Sequence, residues 1–267
     1  MSPWENLLEH PHSRGHFVQL YETGEEALTD NVGHYLWQGL RQGDGVLVIA
    51  TPAHQELFSR HLETMGADLD ALRASRQFVC WDAQETLDKF MVAEQPDWER
   101  FAGVIRTALR QVCPAKGAEG SRAYGEMVGI LWKARQYAAA IRLEQFWNKL
   151  LEQSSFSLYC AYAIDVFGKE FNVANLDSVL STHTHLIPTQ PNGMLEAALH
   201  QSMDEILGSK AAELRQIIRA NQRPAWAVMP TAEATVLWLR NNLPEQAEHI
   251  VSLARQHYDS QVAAIGG

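Results

Sequence analysis

Residues 16–27 read HFVQLYETGEEA, and this stretch decides the fold class. Its first seven residues predict a buried strand, which passes through Thr23 and Gly24 into a helix. A nucleotide-binding α/β fold carries a glycine-rich phosphate loop at this point, with a Lys for the terminal phosphates and a Ser or Thr for the metal. The stretch has one glycine, no Lys, and the three acids Glu22, Glu25 and Glu26. These acids would repel a triphosphate, so we expect the scaffold to bind something else.

The composition indicates a globular chain with one large domain and a smaller appendage. Of its 267 residues, 46% are hydrophobic, which is enough for a substantial core. The formal net charge is −10, and the 22 Lys and Arg are scattered, which disfavours direct nucleic-acid binding. No apolar run approaches the ~20 residues of a membrane span, and the N-terminus lacks a signal-peptide apolar region. We therefore expect a cytoplasmic protein that does not associate with membranes.

Short apolar runs alternate with amphipathic helices from residue 16 onward. This pattern predicts an α/β fold, a doubly wound and mostly parallel sheet of about five or more strands. Residues 1–15 lack periodicity and predict an N-terminal arm. The predicted strands are His16 to Glu22, Val46 to Ala50, Phe78 to Trp81, Arg122 to Val128 and Phe156 to Ile164.

The carboxyl ends of the predicted strands are aromatic and acidic. Ligands of parallel sheets bind beyond these ends, and such a mixture suits a small pocket with apolar walls and a few polar groups. The alternative is that the aromatic residues only pack, with a polar tip at the surface. The predicted ligand-binding residues are Tyr21, Glu22, Thr51, His54, Trp81, Glu126, Tyr162 and Asp165.

Glu126 is the sharpest single candidate, because a carboxylate at the end of an interior strand is costly unless it is paired, metal-bound or used. It is also compatible with a helix N-terminal acid that the helix dipole stabilises. With His54 or Asp165 as its partner, Glu126 would form an acid/base pair, so an enzyme acting on an apolar substrate stays an alternative.

His183 and His185 are low-ranked candidates for metal ligands. If their segment is extended, residues two apart point to the same face and could address one ion. A third ligand would have to come from elsewhere, and His16, Glu126 or Asp165 are suitable by type alone. The alternative is ordinary histidines with satisfied hydrogen bonds, so the sequence predicts no particular metal or cofactor.

Five segments of the chain resemble the MEDS sensory domain, a family named for methanogens and methylotrophs that includes a regulator of dichloromethane metabolism. The resemblance covers residues 16–188 in order, and it includes the Gly-Glu-Met at 125–127 and His183 and His185 before Pro188. The segments are His16 to Glu22, Gly39 to Pro52, Ala83 to Met91, Gly125 to Trp132 and Phe156 to Asp165.

The resemblance implies a degenerate RecA/KaiC-like fold that has lost its nucleotide loop. It also implies a sensor of small molecules, with hydrocarbon derivatives as proposed ligands, and no established catalysis. Family members join this domain to a helix-turn-helix, a kinase or another output module, in transcription regulation for example. Residues 189–267 show no recognisable module of that kind, which leaves the signalling route and partner open.

Residues 189–267 predict a C-terminal helical segment. An apolar stripe runs along residues 193–221 and suits a helix hairpin or a dimer seam, so we expect a homodimer through these helices. The alternative is that the helices cover the sheet domain. Trp226 and Trp238 are expected to be exposed and to add to the contact surface.

The leading functional hypothesis is a signal-sensing regulatory protein that binds a small organic ligand at the carboxyl edge of its sheet. Besides the enzyme hypothesis, two alternatives stay open. One is a residual nucleotide-binding protein, and the other is an interaction scaffold in which the C-terminal helices carry the function.

Overall fold

The structure is a computed structural model that describes residues 3–22, 25–118, 120–188, 193–220 and 226–265. The predicted turn through Thr23 and Gly24 lies outside the described residues. Within the described part of the chain, no helix has both the length and the hydropathy that crossing a membrane requires.

A six-stranded sheet forms the centre of the molecule, with the strand order β3-β2-β6-β7-β1-β8. Every neighbouring pair in this sheet is parallel, which confirms the predicted fold class. A two-stranded antiparallel ribbon, β4 with β5, stands apart from it. The strands are β1 (His16–Leu20), β2 (Gly45–Ala50), β3 (Phe78–Asp82), β4 (Met91–Val92), β5 (Gln95–Pro96), β6 (Ser121–Gly125), β7 (Ser157–Tyr162) and β8 (His185–Ile187).

Helices cover both faces of the sheet. Helices α1 to α4 pack on one face in a core that includes Tyr124 and Tyr159. Helices α5 to α9 pack on the other face in a larger core. The helices are α1 (Pro3–Glu9), α2 (Glu26–Gln42), α3 (Pro52–Thr64), α4 (Leu69–Ala74), α5 (Ala83–Asp88), α6 (Trp98–Gln111), α7 (Met127–Lys133), α8 (Tyr137–Gln153), α9 (Val173–Thr182), α10 (Met194–Leu207), α11 (Ala211–Ala220), α12 (Thr231–Asn242) and α13 (Pro244–Ile265).

The fourth predicted strand is shorter than its apolar pattern indicates. Strand β6 ends at Gly125, and helix α7 begins at Met127. Met127 and Val128 are fully buried in the core on the α7 face. A buried helix turn needs apolar side chains just as a buried strand does. A short apolar run does not distinguish a buried strand from a buried helix turn, and Glu126 consequently lies at the junction of the two elements.

Residues 3–9 form helix α1, where the sequence predicts an irregular arm. Arg122 on β6 holds this helix in place, because its guanidinium donates to the carbonyl oxygens of Leu8 (2.7 Å) and Glu9 (2.9 Å). The same guanidinium donates to Asp44 Oδ2 at 2.8 Å. A buried Arg needs such partners, and they come from segments that are distant in sequence.

The C-terminal helices are part of the main core. Leu195 and Leu199 of α10, with Val236 and Val251 of α12 and α13, belong to the same buried cluster as the strand residues. The apolar stripe that predicted a dimer seam therefore packs within the chain. This agrees with the alternative interpretation, in which the helices cover the sheet domain. The homodimer stays a prediction that these contacts do not test.

The predicted long stripe of residues 193–221 also divides into two helices. A 3₁₀ turn at Gly208–Lys210 separates α10 from α11, and Gly208 begins it with a φ of 57°, a backbone conformation that favours glycine. Trp226 and Trp238 are half-buried, where the sequence predicts exposed side chains, and Trp226 Nε1 donates to Asp177 at 3.0 Å.

Candidate functional site

A cleft of about 540 Å³ opens at the carboxyl ends of the central strands. Four of the eight predicted ligand-binding residues line it, Tyr21 after β1, Thr51 and His54 after β2, and Glu126 after β6. This placement follows from topology, because β1, β2 and β6 are parallel and their ends meet at one edge. Sequence reasoning did not find the other polar and aromatic lining residues, Glu25, Trp132, Lys133, Arg135, Tyr137 and Glu170.

Glu126 is the centre of the hydrogen bonding in the cleft. Its Oε2 accepts from the backbone N–H of Thr51 at 2.9 Å, and its Oε1 lies 2.7 Å from His54 Nδ1. The Thr51 hydroxyl lies 3.3 Å from Oε2. The Glu126 side chain is 8% exposed, and these partners compensate the cost of burying a carboxylate.

His54 lies between two carboxylates. Its Nδ1 faces Glu126, and its Nε2 lies 3.3 Å from Glu25 Oε1 without forming a hydrogen bond to any described residue. Burial lowers the pKa of His54, but the hydrogen bond to Glu126 and the charges of Glu126 and Glu25 outweigh it, so the net pKa is raised above 6.5. The protonated imidazole is thus favoured, and the cleft holds a Glu–His–Glu charge arrangement.

Aromatic side chains form the less polar part of the cleft. The Tyr21 ring meets the His54 ring edge-on at 6.0 Å, and Trp132 meets Tyr137 at 4.6 Å. Burial, and secondarily the charges of Glu126 and Glu25, raise the pKa of Tyr21. Its hydroxyl therefore stays protonated at neutral pH and is able to donate a hydrogen bond.

Two lining residues have left-handed backbone conformations, which non-glycine residues seldom adopt. Glu25 has a φ of 52°, and Arg135 has a φ of 61°. Such residues cost free energy and cluster at functional sites. Here they place an acidic and a basic side chain at the same cleft.

A groove of about 680 Å³ adjoins the cleft between α8 and α9, and its lining is mixed, with Arg142, Gln145 and Glu170 beside apolar side chains. Ile141 and Phe146 line the groove, and Trp132, Tyr137 and Glu170 line both the groove and the cleft. A ligand bound at Glu126 would therefore have apolar surface within reach on one side.

The other four predicted residues lie elsewhere. Glu22 and Asp165 do not line the cleft, and each accepts from Arg255 on α13 at 3.1 Å. Trp81 is half-buried, and the Lys89 ammonium lies 5.0 Å from its ring centroid. Tyr162 is fully buried and donates to Glu144 Oε1 at 2.5 Å. Successive strand residues point to opposite faces of the sheet, and the Tyr162 side chain is on the face that α8 covers.

A second polar cluster, which we call the inner cluster, lies below helices α8 and α9. It consists of His16, Glu144, Cys160 and His183, whose ligand-type atoms are all within 4.8 Å of one another. Two of the low-ranked metal candidates, His16 and His183, therefore meet, whereas His185 lies apart and contacts Thr184. Glu126 and Asp165, the carboxylates weighed as a third ligand, belong to other sites.

The position of Glu144 along its helix indicates, from sequence alone, that this carboxylate is buried. Along α8 it stands within the apolar stripe formed by Ala140, Leu143, Trp147 and Leu151, all of which are buried. A lone carboxylate at an apolar-face position of an amphipathic helix predicts a buried partner.

The parallel sheet, the helices on both of its faces and the polar cleft at its carboxyl edge define a doubly wound α/β protein with a strand-edge cleft. The family model described as MEDS, the MEthanogen/methylotroph, DcmR Sensory domain, matches residues 15–184. The chain therefore belongs to the MEDS family, as the sequence resemblance predicts. No curated protein matches the chain significantly. The relationship to RecA/KaiC-like folds stays a prediction.

Proposed function

We propose that this protein is a signal-sensing regulatory protein that binds a small organic ligand in the strand-edge cleft, without a functional phosphate loop. The sensory family supports the regulatory role. The observation that carries the binding site is the hydrogen-bonded pair Glu126–His54, which lies in a cleft that also has aromatic walls.

The chemistry of the cleft favours a small ligand with one polar group and an apolar body. Glu126 accepts hydrogen bonds, and the Tyr21 hydroxyl donates one, so an alcohol, amine or amide group would find a partner. The adjoining groove between α8 and α9 offers apolar contact for the rest of the ligand. Hydrocarbon derivatives that carry an alcohol, amine or amide group would suit both the cleft and the groove.

The charges of the cleft weigh against a nucleoside triphosphate as its ligand. Glu25 and Glu126 lie on opposite sides of the His54 ring, and with Glu170 they offset the three positive groups of the described lining, which leaves no positive excess for a triphosphate. Lys133 and Arg135 also line the cleft, so ATP with magnesium is included as a competing probe.

Fluorine NMR with a panel of small fluorinated alcohols, amines, amides and halogenated alkanes tests the proposal. We expect at least one probe to bind the full chain and to bind Glu126→Gln at least tenfold more weakly, because Gln accepts fewer hydrogen bonds and removes the charge that holds His54. The matched control is Glu63→Gln, which changes an exposed carboxylate on α3.

Two outcomes would contradict this assignment. One is that every bound probe has the same affinity for Glu126→Gln as for Glu63→Gln. The other is that ATP with magnesium displaces the probes at low concentration, which would support the residual nucleotide-binding alternative.

Acid/base catalysis is a second candidate function, and the Glu126–His54 pair favours it. The enzyme hypothesis requires a carboxylate and an imidazole in contact at a cavity. Glu126 Oε1 and His54 Nδ1 are 2.7 Å apart. Asp165, the other partner considered, is hydrogen-bonded to Arg255 instead. Recovering the bound probe unchanged after prolonged incubation would favour the sensor, whereas a modified probe would favour the enzyme.

A further inference from the structure

The inner cluster places a carboxylate and two imidazoles in the interior. Glu144, Cys160 and the His183 side chain are 0% exposed, and His16 is 1% exposed. Burying an ionised carboxylate is costly unless a charge or several donors compensate it. One donor is the Tyr162 hydroxyl, at 2.5 Å from Glu144 Oε1. Among the described residues, the other polar neighbours of the carboxylate are the two imidazole Nε2 atoms and a thiol.

Hydrogen bonds fix the tautomer of His16. Asn148 Nδ2 donates to the carbonyl oxygen of Thr182 at 2.7 Å, so the Asn148 Oδ1 faces His16 Nδ1 at 2.8 Å as an acceptor. His16 Nδ1 must therefore carry the proton. Its Nε2 then directs a lone pair toward Glu144 Oε2 at 3.2 Å and Cys160 Sγ at 3.5 Å.

His183 has the same arrangement. Its Nδ1 donates to the carbonyl oxygen of Val179 at 2.7 Å. Its Nε2 lies 3.3 Å from Glu144 Oε1 but has no hydrogen-bond partner among the described residues. In the neutral tautomers, two imidazole lone pairs thus converge on a carboxylate, which also offers lone pairs. A cation at the centre would satisfy all of them.

The spacing of the inner cluster fits a four-coordinate metal ion. Ligand bonds of 2.0–2.3 Å in a tetrahedron imply ligand–ligand separations of about 3.3–3.8 Å. His16 Nε2 and Cys160 Sγ lie 3.2 Å and 3.8 Å from Glu144 Oε2 and 3.5 Å from each other. His183 Nε2 lies 3.3 Å from the other carboxylate oxygen, Oε1, and all four ligand-type atoms are within 4.8 Å of one another. A divalent ion with one thiolate, one carboxylate and two neutral imidazoles also carries no net charge, which suits full burial.

We propose that the four side chains of the inner cluster bind one divalent transition metal ion of the zinc class, as a closed structural site. The nitrogen and sulfur ligands select zinc-class ions over Mg²⁺ or Ca²⁺, which prefer oxygen. All four positions are protein ligands, as in structural rather than catalytic zinc sites. The hydrogen bonds at both Nδ1 atoms are the outer contacts that usually orient metal-binding histidines.

Metal loading would release one proton from the cluster, because the Cys160 thiol loses its proton as the sulfur–metal bond forms.

The ion would connect parts of the chain that are distant in sequence. His16 begins β1, Cys160 lies within β7, Glu144 lies on α8, and His183 follows α9. The site is separate from the strand-edge cleft, so this inference does not rest on the proposed sensory function.

Cobalt substitution tests the site on the full chain. Protein stripped with a chelator is loaded with Co²⁺, and absorption spectra and metal content are measured. We expect one tightly held ion per chain, visible bands of tetrahedral Co²⁺ and a near-ultraviolet thiolate-to-cobalt band. Zn²⁺ should displace the cobalt and raise the unfolding temperature of the stripped protein.

Variants assign the ligands. Cys160→Ser should abolish the thiolate-to-cobalt band, whereas Cys80→Ser, at a half-buried cysteine of β3, should keep it. If Cys160→Ser does not fold, His183→Gln serves as the second variant and should weaken Co²⁺ binding at least tenfold, with His185→Gln as its control. The inference is overturned if the stripped wild-type protein takes up no Co²⁺, or if the band survives in Cys160→Ser.

Discussion

At the scale of single residues, Glu126 and Glu144 show how one residue type serves two sites. Glu126 ends a strand at the sheet edge and keeps 8% of its side chain exposed. Glu144 is fully buried on α8, where its two carboxylate oxygens lie 3.2 Å from His16 Nε2 and 3.3 Å from His183 Nε2. The first lies at an open cleft, and the second is closed in among its neighbours.

The His54–Glu126 pair predicts a pH-dependent stability. Because the folded pKa of His54 is raised above 6.5, the stabilisation is fully present below the unfolded pKa and is lost as pH rises through the folded pKa. We expect His54→Gln to cost about 2 kcal/mol at pH 5 and less at higher pH. Urea unfolding at a series of pH values measures this, with exposed His10→Gln as the control. A cost that is constant with pH would contradict the prediction.

At the scale of elements, the junction between β6 and α7 positions the cleft. Helix α7 begins directly after Glu126 and lies close to β7, and Gly129 on this helix makes the approach possible. A Cβ added at Gly129 would lie 2.8 Å from the carbonyl oxygen of Ala161, which is closer than real Cβ contacts. The absence of a side chain at Gly129 therefore sets the distance between α7 and the sheet.

Two glycine substitutions in helices should have opposite effects. Gly129→Ala should destabilise the protein by about 1–3 kcal/mol, because the backbone of β7 has to move. Gly103→Ala on α6 meets no atom within 4 Å and should stabilise it by roughly 0.5–1 kcal/mol through helix propensity. Chemical denaturation of both variants measures the difference. Equal effects of the same sign would contradict the close packing of α7.

At the scale of the whole molecule, the C-terminal helices complete the core of the sheet domain. Residues of α10, α12 and α13 share a buried cluster with the strands, and Arg255 of α13 binds both Glu22 and Asp165. The part of the chain beyond the family match is therefore packed on the sensory domain. The pair of Arg255 and Glu22, which follows β1, joins α13 directly to the end of a central strand.

Truncating a core side chain of the C-terminal helices tests this packing. Leu237 on α12 is 1% exposed within the main core, so Leu237→Ala should cost about 2–5 kcal/mol. Val262→Ala on α13 changes a side chain that is 45% exposed and should cost less than about 0.5 kcal/mol. Thermal unfolding followed by circular dichroism compares the two. A small cost for Leu237→Ala would indicate that α12 does not contribute to the core.

Much of the candidate cleft could be predicted from the sequence, and the remainder could not. The ends of β1, β2 and β6 are fixed by apolar runs that stop at Tyr21, Thr51 and Glu126, and parallel pairing brings such ends together. Glu25 and Arg135 enter through turns with left-handed backbones, which local propensity does not indicate. Tyr162 does not line the cleft, because its strand ends at the cleft edge while its side chain points to the other face of the sheet.

The sequence by itself determined the fold class, the family and the edge of the sheet that carries the cleft. These follow from the hydrophobic period and from local motifs, which act over a few residues. Only the tertiary structure decided that the C-terminal stripe is buried within the chain and that His16, Glu144, Cys160 and His183 meet. Those contacts join residues as much as 167 positions apart, and packing, rather than any local pattern, determines which side chains share a space.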